Sequence, residues 1–324
     1  MILVLSDQYD VHADVVCDKL KKLNVDNYRF NLDVTSLKKS KITYYNNEWI
    51  LENESGILKS SDIHTVWCRR SFVELLLEEE FAMNTGFQIW RREWNAHLNG
   101  LYTYLKDKKW LNPLRKAYKG ENKYYQMSCA KNVGFFLPDY VVSNNRSVLE
   151  QFINEHDGSV IKFMNQDIFR NEEGKFCASY VNEITLDALT EFGKEENPVF
   201  VQQKIPKDFE VRYTVVGDKH FVCRIDSQNS AIAKDDWRRY DLPHTPHIVM
   251  LPPTDIRSKV ELFMFQLQIP FGALDFIVTP KGEWYFLEIN CMGQWLWIEE
   301  LTGLAISDSI VQWLVNNNKQ EGLQ

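Results

Sequence analysis

The segment GALDFIVTPKGEWYFLEIN, residues 272–290, holds two mostly apolar runs on either side of a Lys-Gly pair. Glycine favours tight turns, so the segment is predicted to form a β-hairpin that turns at Lys281-Gly282. We expect Thr279 to pair with Trp284, and each earlier residue to pair with a correspondingly later one. This register decides which side chains meet across the hairpin.

The register brings polar side chains together on an otherwise apolar hairpin. Asp275 falls opposite Glu288, and strand alternation places Asn290 on the same face as Glu288. Directly opposed residues lie about 4.5–5.5 Å apart at Cβ, where like charges are destabilising unless something neutralises them. Mg²⁺ typically binds through one or two carboxylates plus substrate phosphates. The segment therefore predicts a magnesium site next to the phosphates of a substrate.

The composition indicates a globular protein with more than one core. The chain has 324 residues, 44% of them hydrophobic, and its 37 basic and 45 acidic residues give a net charge of −8. At this length two or three packed subdomains are expected. The negative charge argues against a nucleic-acid partner, and no apolar run reaches the roughly 18 residues of a membrane span. We expect a cytoplasmic protein with neither nucleic acid nor membrane as partner.

Two common phosphate-binding loops are missing from the sequence. It contains no G-x-G-x-x-G and no G-x-x-x-x-G-K-[ST] motif, which removes the main support for a Rossmann or P-loop protein. A strand at 2–5 and a helix at 13–23 open an α/β unit, and a mostly helical pattern covers 71–105. Proline, glycine and basic residues then break the periodicity and predict a domain boundary near 115.

Several segments together resemble the ATP-grasp superfamily, whose metal ligands are an Asp on one strand and an E-x-N on the next. Upstream, ENKYYQMSCAKNVGFFLPDY, GSVIKF and VFVQQKIPKDFEVR follow in the order that the superfamily shows. The resemblance implies ATP and Mg²⁺ as cofactors. The implied metal ligands are Asp275, Glu288 and Asn290. The implied nucleotide contacts are Lys123, Lys162, Gln202, Gln203, Lys204, Ile205 and Glu210.

The same resemblance implies the fold class and its division along the chain. We expect an α/β fold of the ATP-grasp type, with antiparallel sheets in the ATP-grasp part. An N-terminal α/β domain that precedes ATP-grasp modules would cover residues 1–115. A central lid subdomain would cover 116–198, and a C-terminal subdomain with the metal site would cover 199–324.

A narrower resemblance is to the graspetide synthetases, the microviridin-type peptide macrocyclases. The segments that carry it are VWCRR, WLNPLRKAYKGENKYYQ, EVR, CRID and DWRRYD. It implies that Arg212 holds the acyl phosphate, with Arg224 and Arg238 as weaker candidates. A two-residue turn at Gly217-Asp218 would pair Arg224 with Val211 and turn it away from Arg212. Both arginines could then line one site only if a bulge intervened.

This narrower resemblance implies an enzyme that phosphorylates Glu or Asp side chains of a ribosomally made precursor peptide. It would join them to Thr or Ser as esters, or to Lys as amides. The acidic-aromatic tract 72–94 is interpreted as a helix that packs its aromatic rings into the core, with part of a leader groove as the alternative. Asp226, Asp235, Asp236 or the phosphate itself would serve as the base, and a homodimer is a further expectation.

Two other functions stay open from the sequence. An ATP-grasp ligase that adds free amino acids to a protein or small carboxylate, as the ribosomal-protein glutamate ligases do, would share the metal and lysine residues. A non-catalytic nucleotide-binding regulator of the same fold, as in synapsin-like proteins, would be expected to have an incomplete ligand set.

Overall fold

A computed structural model gives the fold of most of the chain. It describes residues 1–76, 78–79, 84–164, 168–170, 176–178, 181–189, 197–230 and 242–318. Within these ranges no helix is long and apolar enough to cross a membrane.

The first 111 residues build a parallel sheet with a small antiparallel sheet beside it. Their elements are β1 (Ile2–Ser6), α1 (Val11–Lys22), β2 (Asn27–Asn31), α2 (Val34–Lys39), β3 (Lys41–Tyr45), β4 (Glu48–Asn53), β5 (Gly56–Lys59), β6 (Thr65–Cys68), α3 (Thr85–Tyr104) and β7 (Lys109–Leu111). The parallel sheet has the order β2-β1-β6-β7, and β3-β4-β5 forms the second sheet. This is the α/β unit that the sequence predicts.

Local sequence explains the turn and the long helix of this region. Asn46 and Asn47 join β3 to β4 with positive φ angles of 49° and 61°, which asparagine tolerates better than most residues. Strands β3 and β4 therefore form a hairpin about this Asn-Asn turn. Of the region 71–105 predicted to be mostly helical, residues 71–76 are not helical in the structure, residues 78–79 are helical, and α3 spans Thr85–Tyr104. Asn84 caps it by accepting a hydrogen bond from Phe87 N.

The middle of the chain contributes two short helices and an antiparallel sheet. Its elements are α4 (Leu114–Glu121), α5 (Lys123–Asn132), β8 (Tyr140–Ser143), α6 (Arg146–Glu155), β9 (Ser159–Lys162), β10 (Ile168–Arg170), β11 (Phe176–Ala178), β12 (Asn182–Glu183), α7 (Leu186–Leu189) and β13 (Val199–Gln203). The sheet has the order β12-β9-β13-β8, and β10 pairs with β11. One face of the sheet packs on α6 and α7 through Leu149, Ile161, Leu189 and Val201.

The last third is built on a five-stranded antiparallel sheet of order β16-β15-β14-β17-β18. Its elements are β14 (Phe209–Val216), β15 (Lys219–Ile225), β16 (His247–Val249), α8 (Thr254–Leu267), β17 (Phe271–Val278), β18 (Trp284–Asn290), α9 (Leu296–Thr302) and α10 (Ile306–Asn317). One face of the sheet buries Val211, Phe276 and Phe286 against Ala130 of α5 and Phe263 of α8. The mixed fold class predicted from the sequence is confirmed.

The N-terminal and C-terminal regions share a core. Val4 and Val16 are buried in one cluster with Trp295 and Ile310. The apolar faces of β1 and α1 are therefore covered by the C-terminal helices. The divisions proposed at 1–115, 116–198 and 199–324 stay a prediction.

Candidate active site

The hairpin β17–β18 brings Asp275 opposite Glu288, as the sequence predicts. The path to that pairing differs from the prediction, because Val278 pairs with Trp284, one residue earlier than expected. A β-bulge between Asp275 and Phe276 then shifts the register by one residue. A bulge places two residues opposite one on the partner strand. The extra residue offsets the one-residue difference between the predicted and observed pairing near the turn. Glu288 therefore lies on the face of Asp275.

Each of the two carboxylates is paired with a cation. Arg212 Nη1 donates to both oxygens of Asp275, at 3.0 and 2.9 Å. Lys123 Nζ lies 2.6 Å from Glu288 Oε2. The Arg212 and Asp275 side chains are 6% and 11% exposed, and Lys123 and Glu288 are 17% and 14% exposed. Ion pairs this sheltered from water interact more strongly than surface pairs.

Arg212 also reaches the loop that follows β18. Its Nη2 donates to the carbonyl oxygen of Gln294 at 3.2 Å. A Cβ at Gly293 would lie 3.2 Å from Arg212 Nη2 and 2.7 Å from the Cβ of Ala273. The loop can pass this close to Arg212 and β17 because position 293 has no side chain.

A second buried arginine holds the same loop from the N-terminal region. Arg69 Nη1 donates to the carbonyl oxygens of Met292 at 2.7 Å and Gly293 at 3.2 Å. Its Nε donates to Asp10 Oδ2 at 3.1 Å, and its guanidinium lies over the Trp295 ring. Burial raises the pKa of Asp10, but the charge of Arg69 and the hydrogen bonds from Ser6 and Arg69 together outweigh burial, so that pKa is lowered. Asp10 therefore stays ionised beside Arg69.

Strands β9 and β13 separate the predicted nucleotide contacts onto two faces. Lys162 pairs with Phe200, and Gln202 pairs with Val160, so Lys162 and Gln202 share one face by strand alternation. Gln203 pairs with Ser159 and lies on the other face, which is the packed side of the sheet. Gln202 is buried at 4% exposure.

The other predicted nucleotide contacts follow β13 along the chain. Lys204 donates its backbone N–H to Gly158 and its Nζ to Glu183 Oε2 at 3.0 Å. Ile205 is buried. Glu210, at the start of β14, is also buried and accepts a hydrogen bond from Lys207 Nζ at 2.7 Å. Strand alternation puts Glu210 on the same face of β14 as Arg212.

The structure does not bring Arg224 to the carboxylates. The turn at Gly217-Asp218 has two residues, so Arg224 pairs with Val211 and Arg212 pairs with Cys223. The two arginines therefore face opposite sides of the sheet. Arg224 stacks on the Phe209 ring and donates to Asp226. The structure thus confirms the register predicted from the two-residue turn. It does not place Arg224 in one site with Arg212.

Other candidates fall outside the described residues or away from the carboxylates. Arg238, Asp235 and Asp236 lie outside the described ranges, and Asp226 pairs with Arg224. In the 72–94 tract, the aromatic rings of α3 pack partly against the N-terminal core, which agrees with the core interpretation. Phe72 and Ile89 are exposed.

Several residues around the site have no recognisable sequence signal. The side chains of four of them bind main-chain groups of residues 271–293: Arg69, Asn112, Glu121 and Gln126. Gly293 contributes through its lack of a side chain. Arg69 and Gln126 lie within the segments VWCRR and WLNPLRKAYKGENKYYQ that resemble the graspetide synthetases. Nothing in their residue types distinguishes these contacts from ordinary surface or core positions.

Comparisons with known proteins found one match over the N-terminal region and others over nearly the whole chain. A family model, the MvdD pre-ATP grasp domain, matches residues 1–118. No curated protein sequence matches the chain. A solved RiPP-associated ATP-grasp ligase from Chryseobacterium gregarium, in complex with ADP and a leader and core peptide, is 28% identical. It covers 99% of each chain, with a TM-score of 0.85.

Two further solved structures come from Microcystis aeruginosa MRC. Macrocyclase MdnB is 26% identical and covers 97% of this chain and 98% of its own, with a TM-score of 0.78. Macrocyclase MdnC, bound with precursor peptide MdnA, is 24% identical and covers 98% and 100%, with a TM-score of 0.85. At that identity the last match speaks for the fold alone.

The fold, the pair of facing carboxylates and these matches make the chain similar to the ATP-grasp ligases. The similarity to a pre-ATP-grasp domain of the MvdD type covers its first 118 residues. Within that class it resembles the graspetide synthetases over its whole length, so the resemblance predicted from the sequence is confirmed.

Proposed function

We propose that the chain is an ATP-dependent peptide macrocyclase. It phosphorylates Glu or Asp side chains of a ribosomally made precursor peptide and joins them to Thr or Ser as esters, or to Lys as amides. The observation that carries this proposal is the pairing of Asp275 with Glu288 across the bulged hairpin, with Arg212 and Lys123 bound to them.

The donor set at this position fits Mg²⁺. Asp275 and Glu288 supply carboxylate oxygens, and Asn290 supplies an amide oxygen on the same face. Hard oxygen donors of this kind suit Mg²⁺, which also takes phosphate oxygens. Among the described residues no group of three or more His, Cys, Asp or Glu side chains is placed to hold a metal. A site of two carboxylates and an amide therefore suits a metal that shares its coordination with a nucleotide.

The ion pairs of the site explain how Lys123 and Arg212 would take part in nucleotide binding. The two carboxylates and two cations carry no net charge together. Asp275, Glu288 and Asn290 would hold Mg²⁺, which would supply two positive charges to the carboxylates. Lys123 and Arg212 could then donate to phosphate oxygens, because the buried acids would keep a positive partner, without which they would be costly.

The proposed nucleotide contacts lie on two faces. Lys162 and Gln202 share one face of the sheet β12-β9-β13-β8, and Glu210 shares a face of β14 with Arg212. Gln203, Lys204 and Ile205 complete the hinge segment that we propose to border the adenine.

The reaction balances as two substitutions. A peptide carboxylate oxygen attacks the γ-phosphorus of ATP, and ADP leaves. The hydroxyl or amine of a second side chain then attacks the acyl carbon, phosphate leaves, and the acceptor proton passes to a base. Each bond consumes one ATP and removes the elements of one water from the peptide. Arg212 provides fixed positive charge for the phosphoryl oxygens, the kind of electrostatic stabilisation that dominates such transfers.

The comparisons support a peptide as the substrate. A relative at 28% identity was solved with ADP and a leader and core peptide, and another at 26% is a macrocyclase. An amino-acid ligase of the same superfamily remains the alternative function. A homodimer and a cytoplasmic location stay predictions.

Mass spectrometry of the protein incubated with Mg²⁺, ATP and a candidate precursor peptide tests the proposal. The candidate is a peptide with repeated Thr and Glu or Asp from a neighbouring reading frame. We expect the loss of one water mass for each ring, with one ADP released for each water lost. Gain of an amino-acid residue mass would instead identify the amino-acid ligase. Nucleotide binding without any product would favour the regulator.

A further inference from the structure

The strand that carries Glu288 and Asn290 lies at the edge of its sheet. β18 pairs with β17 on one side, and apart from a bridge between Phe136 and Tyr285 no described strand pairs with its outer side. A free strand edge leaves main-chain N–H and C=O groups without strand partners. Buried groups of this kind need other hydrogen bonds.

Side chains take the place of the missing strand. Gln126 of α5 donates its Nε2 to the carbonyl oxygen of Ile289 at 2.9 Å, and its Oε1 accepts from Ile289 N at 3.1 Å. Glu121 Oε1 accepts from Cys291 N at 2.6 Å, and Asn112 Nδ2 donates to the carbonyl oxygen of Cys291 at 2.8 Å. These contacts satisfy the outward main-chain groups at two alternate residues.

The contact at Ile289 is the one that bears on the site. Ile289 lies between Glu288 and Asn290, and Gln126 is 2% exposed, so its amide does not exchange partners with solvent. A pair of opposed hydrogen bonds fixes both the position and the rotation of the peptide groups at this residue. Lys123 lies one turn earlier on α5 and binds the Glu288 carboxylate itself. Helix α5 therefore holds this part of β18 at two points.

We propose that Gln126 is a positioning residue that sets the orientation of Glu288 and Asn290 for Mg²⁺. The proposal rests on the proposed function. Gln126 acts through the backbone of Ile289 and touches neither metal nor substrate. Partners of metal ligands typically change metal affinity by about 10–100-fold when removed.

The test compares two substitutions that remove the same kind of contact. Gln126→Met keeps the length of the side chain but loses both hydrogen bonds. The matched control is Asn53→Leu, because Asn53 also donates to one main-chain oxygen, of Arg29 at 2.9 Å, and accepts from one main-chain nitrogen, of Ser55 at 2.8 Å. That residue ends β4 in the N-terminal region. Gln126→Asn is a second variant, which keeps the amide but is one methylene too short.

Two readouts separate positioning from general stability. Calorimetry measures Mg²⁺ affinity in the presence of ADP, and hydrogen exchange measures protection of the Ile289 amide. We expect Gln126→Met and Gln126→Asn to lower Mg²⁺ affinity by about 10-fold or more and to speed exchange at Ile289. Asn53→Leu should lower the melting temperature while leaving the Mg²⁺ affinity within about two-fold. The reason is that the hydrogen bonds of Asn53 lie in the N-terminal region and not on β18.

Fast exchange at Ile289 with wild-type Mg²⁺ affinity in both Gln126 variants would overturn the positioning role while leaving the proposed function intact. The proposed function itself would fail if the wild-type protein bound no Mg²⁺ with ADP, and the positioning role would fail with it. The wild-type measurement separates these two results.

Discussion

The two hairpins of the C-terminal sheet place charged residues in opposite ways. β14–β15 turns at Gly217-Asp218 and keeps a regular register over seven pairs, which puts Arg212 and Arg224 on opposite faces. β17–β18 has a bulge, which puts Asp275 and Glu288 on one face. Because the side-chain period of a strand is two, a shift of one residue moves every later side chain to the other face. The bulge is therefore what assembles the carboxylate pair.

The largest effect is expected at the carboxylate pair. Glu288→Gln removes one carboxylate charge and leaves Lys123 without its anion. We expect turnover of the precursor peptide to fall on the order of 10²–10³-fold, the size seen when one preorganised electrostatic group is removed from an active site. Single-turnover mass spectrometry at saturating ATP measures it.

Asp218→Asn is the control for this change, because Asp218 lies in the turn of the regular hairpin with 86% of its side chain exposed. It should leave turnover within about two-fold, since exposed ion pairs contribute little. Normal turnover in Glu288→Gln would contradict a role for Glu288 in metal binding.

The two arginines of the regular hairpin give the next largest contrast. Arg212→Lys keeps a positive charge but cannot reproduce the fork that reaches Asp275 and the Gln294 carbonyl together. Arg and Lys are not interchangeable at such sites, and we expect turnover to fall about 100-fold. Arg224→Lys loses a stacking contact with Phe209 on the other face. Its turnover should fall by less than about five-fold, in line with a contact worth about 1 kcal/mol.

The same peptide assay measures both arginine variants side by side. Equal losses would show that the faces of β14–β15 do not separate the two roles. A larger loss in Arg224→Lys would reverse the assignment.

A smaller effect is expected for Lys123, the cation that α5 presents to β18. Lys123→Met removes the ammonium group that binds Glu288 and one proposed donor to the phosphates. We expect the KM for ATP to rise about 10-fold, the size of one charge-assisted hydrogen bond. Lys119→Met is the control, because Lys119 contacts the Tyr125 ring instead. Initial-rate kinetics at fixed peptide compare the two, and an equal rise in both would point to a general loss of positive charge.

Sequence reasoning predicted many of the strands and helices and the facing carboxylates. It did not predict the bulge that makes the carboxylates face each other. The hairpin was predicted from two apolar runs around Lys281-Gly282, with Thr279 paired to Trp284. In the structure Thr279 N instead donates to Glu283 O, so the prediction was one residue off. It still reached the right pair, because the bulge adds one residue. The bulge has no sequence signal of its own here, since no glycine lies beside it and Phe276, Phe286 and Leu287 are apolar like most of the hairpin.

The contacts that hold the site were harder to predict than the residues that line it. Asp275, Glu288 and Asn290 stand out because acidic and amide side chains are rare on apolar strands. Gln126 and Arg69 bind main-chain atoms more than 160 residues away along the chain. Main-chain groups are present at every position, so the sequence does not show which ones these side chains select. Only the fold makes that selection.

The smallest expected effect separates the two turns themselves. Gly217 and Gly282 both have positive φ, 60° and 80°, so alanine at either position costs about 1 kcal/mol of unfolding free energy. At Gly282 an added Cβ meets nothing within 4 Å, whereas at Gly217 it would lie 3.1 Å from Trp313 Cδ1. Gly217→Ala should therefore destabilise the protein by about 1 kcal/mol more than Gly282→Ala, because overpacking adds to backbone strain. Urea denaturation of both variants measures the difference. Equal losses would show that Trp313 yields to the added methyl group, and a larger loss in Gly282→Ala would show that the bulged hairpin depends on its turn more than the regular one does.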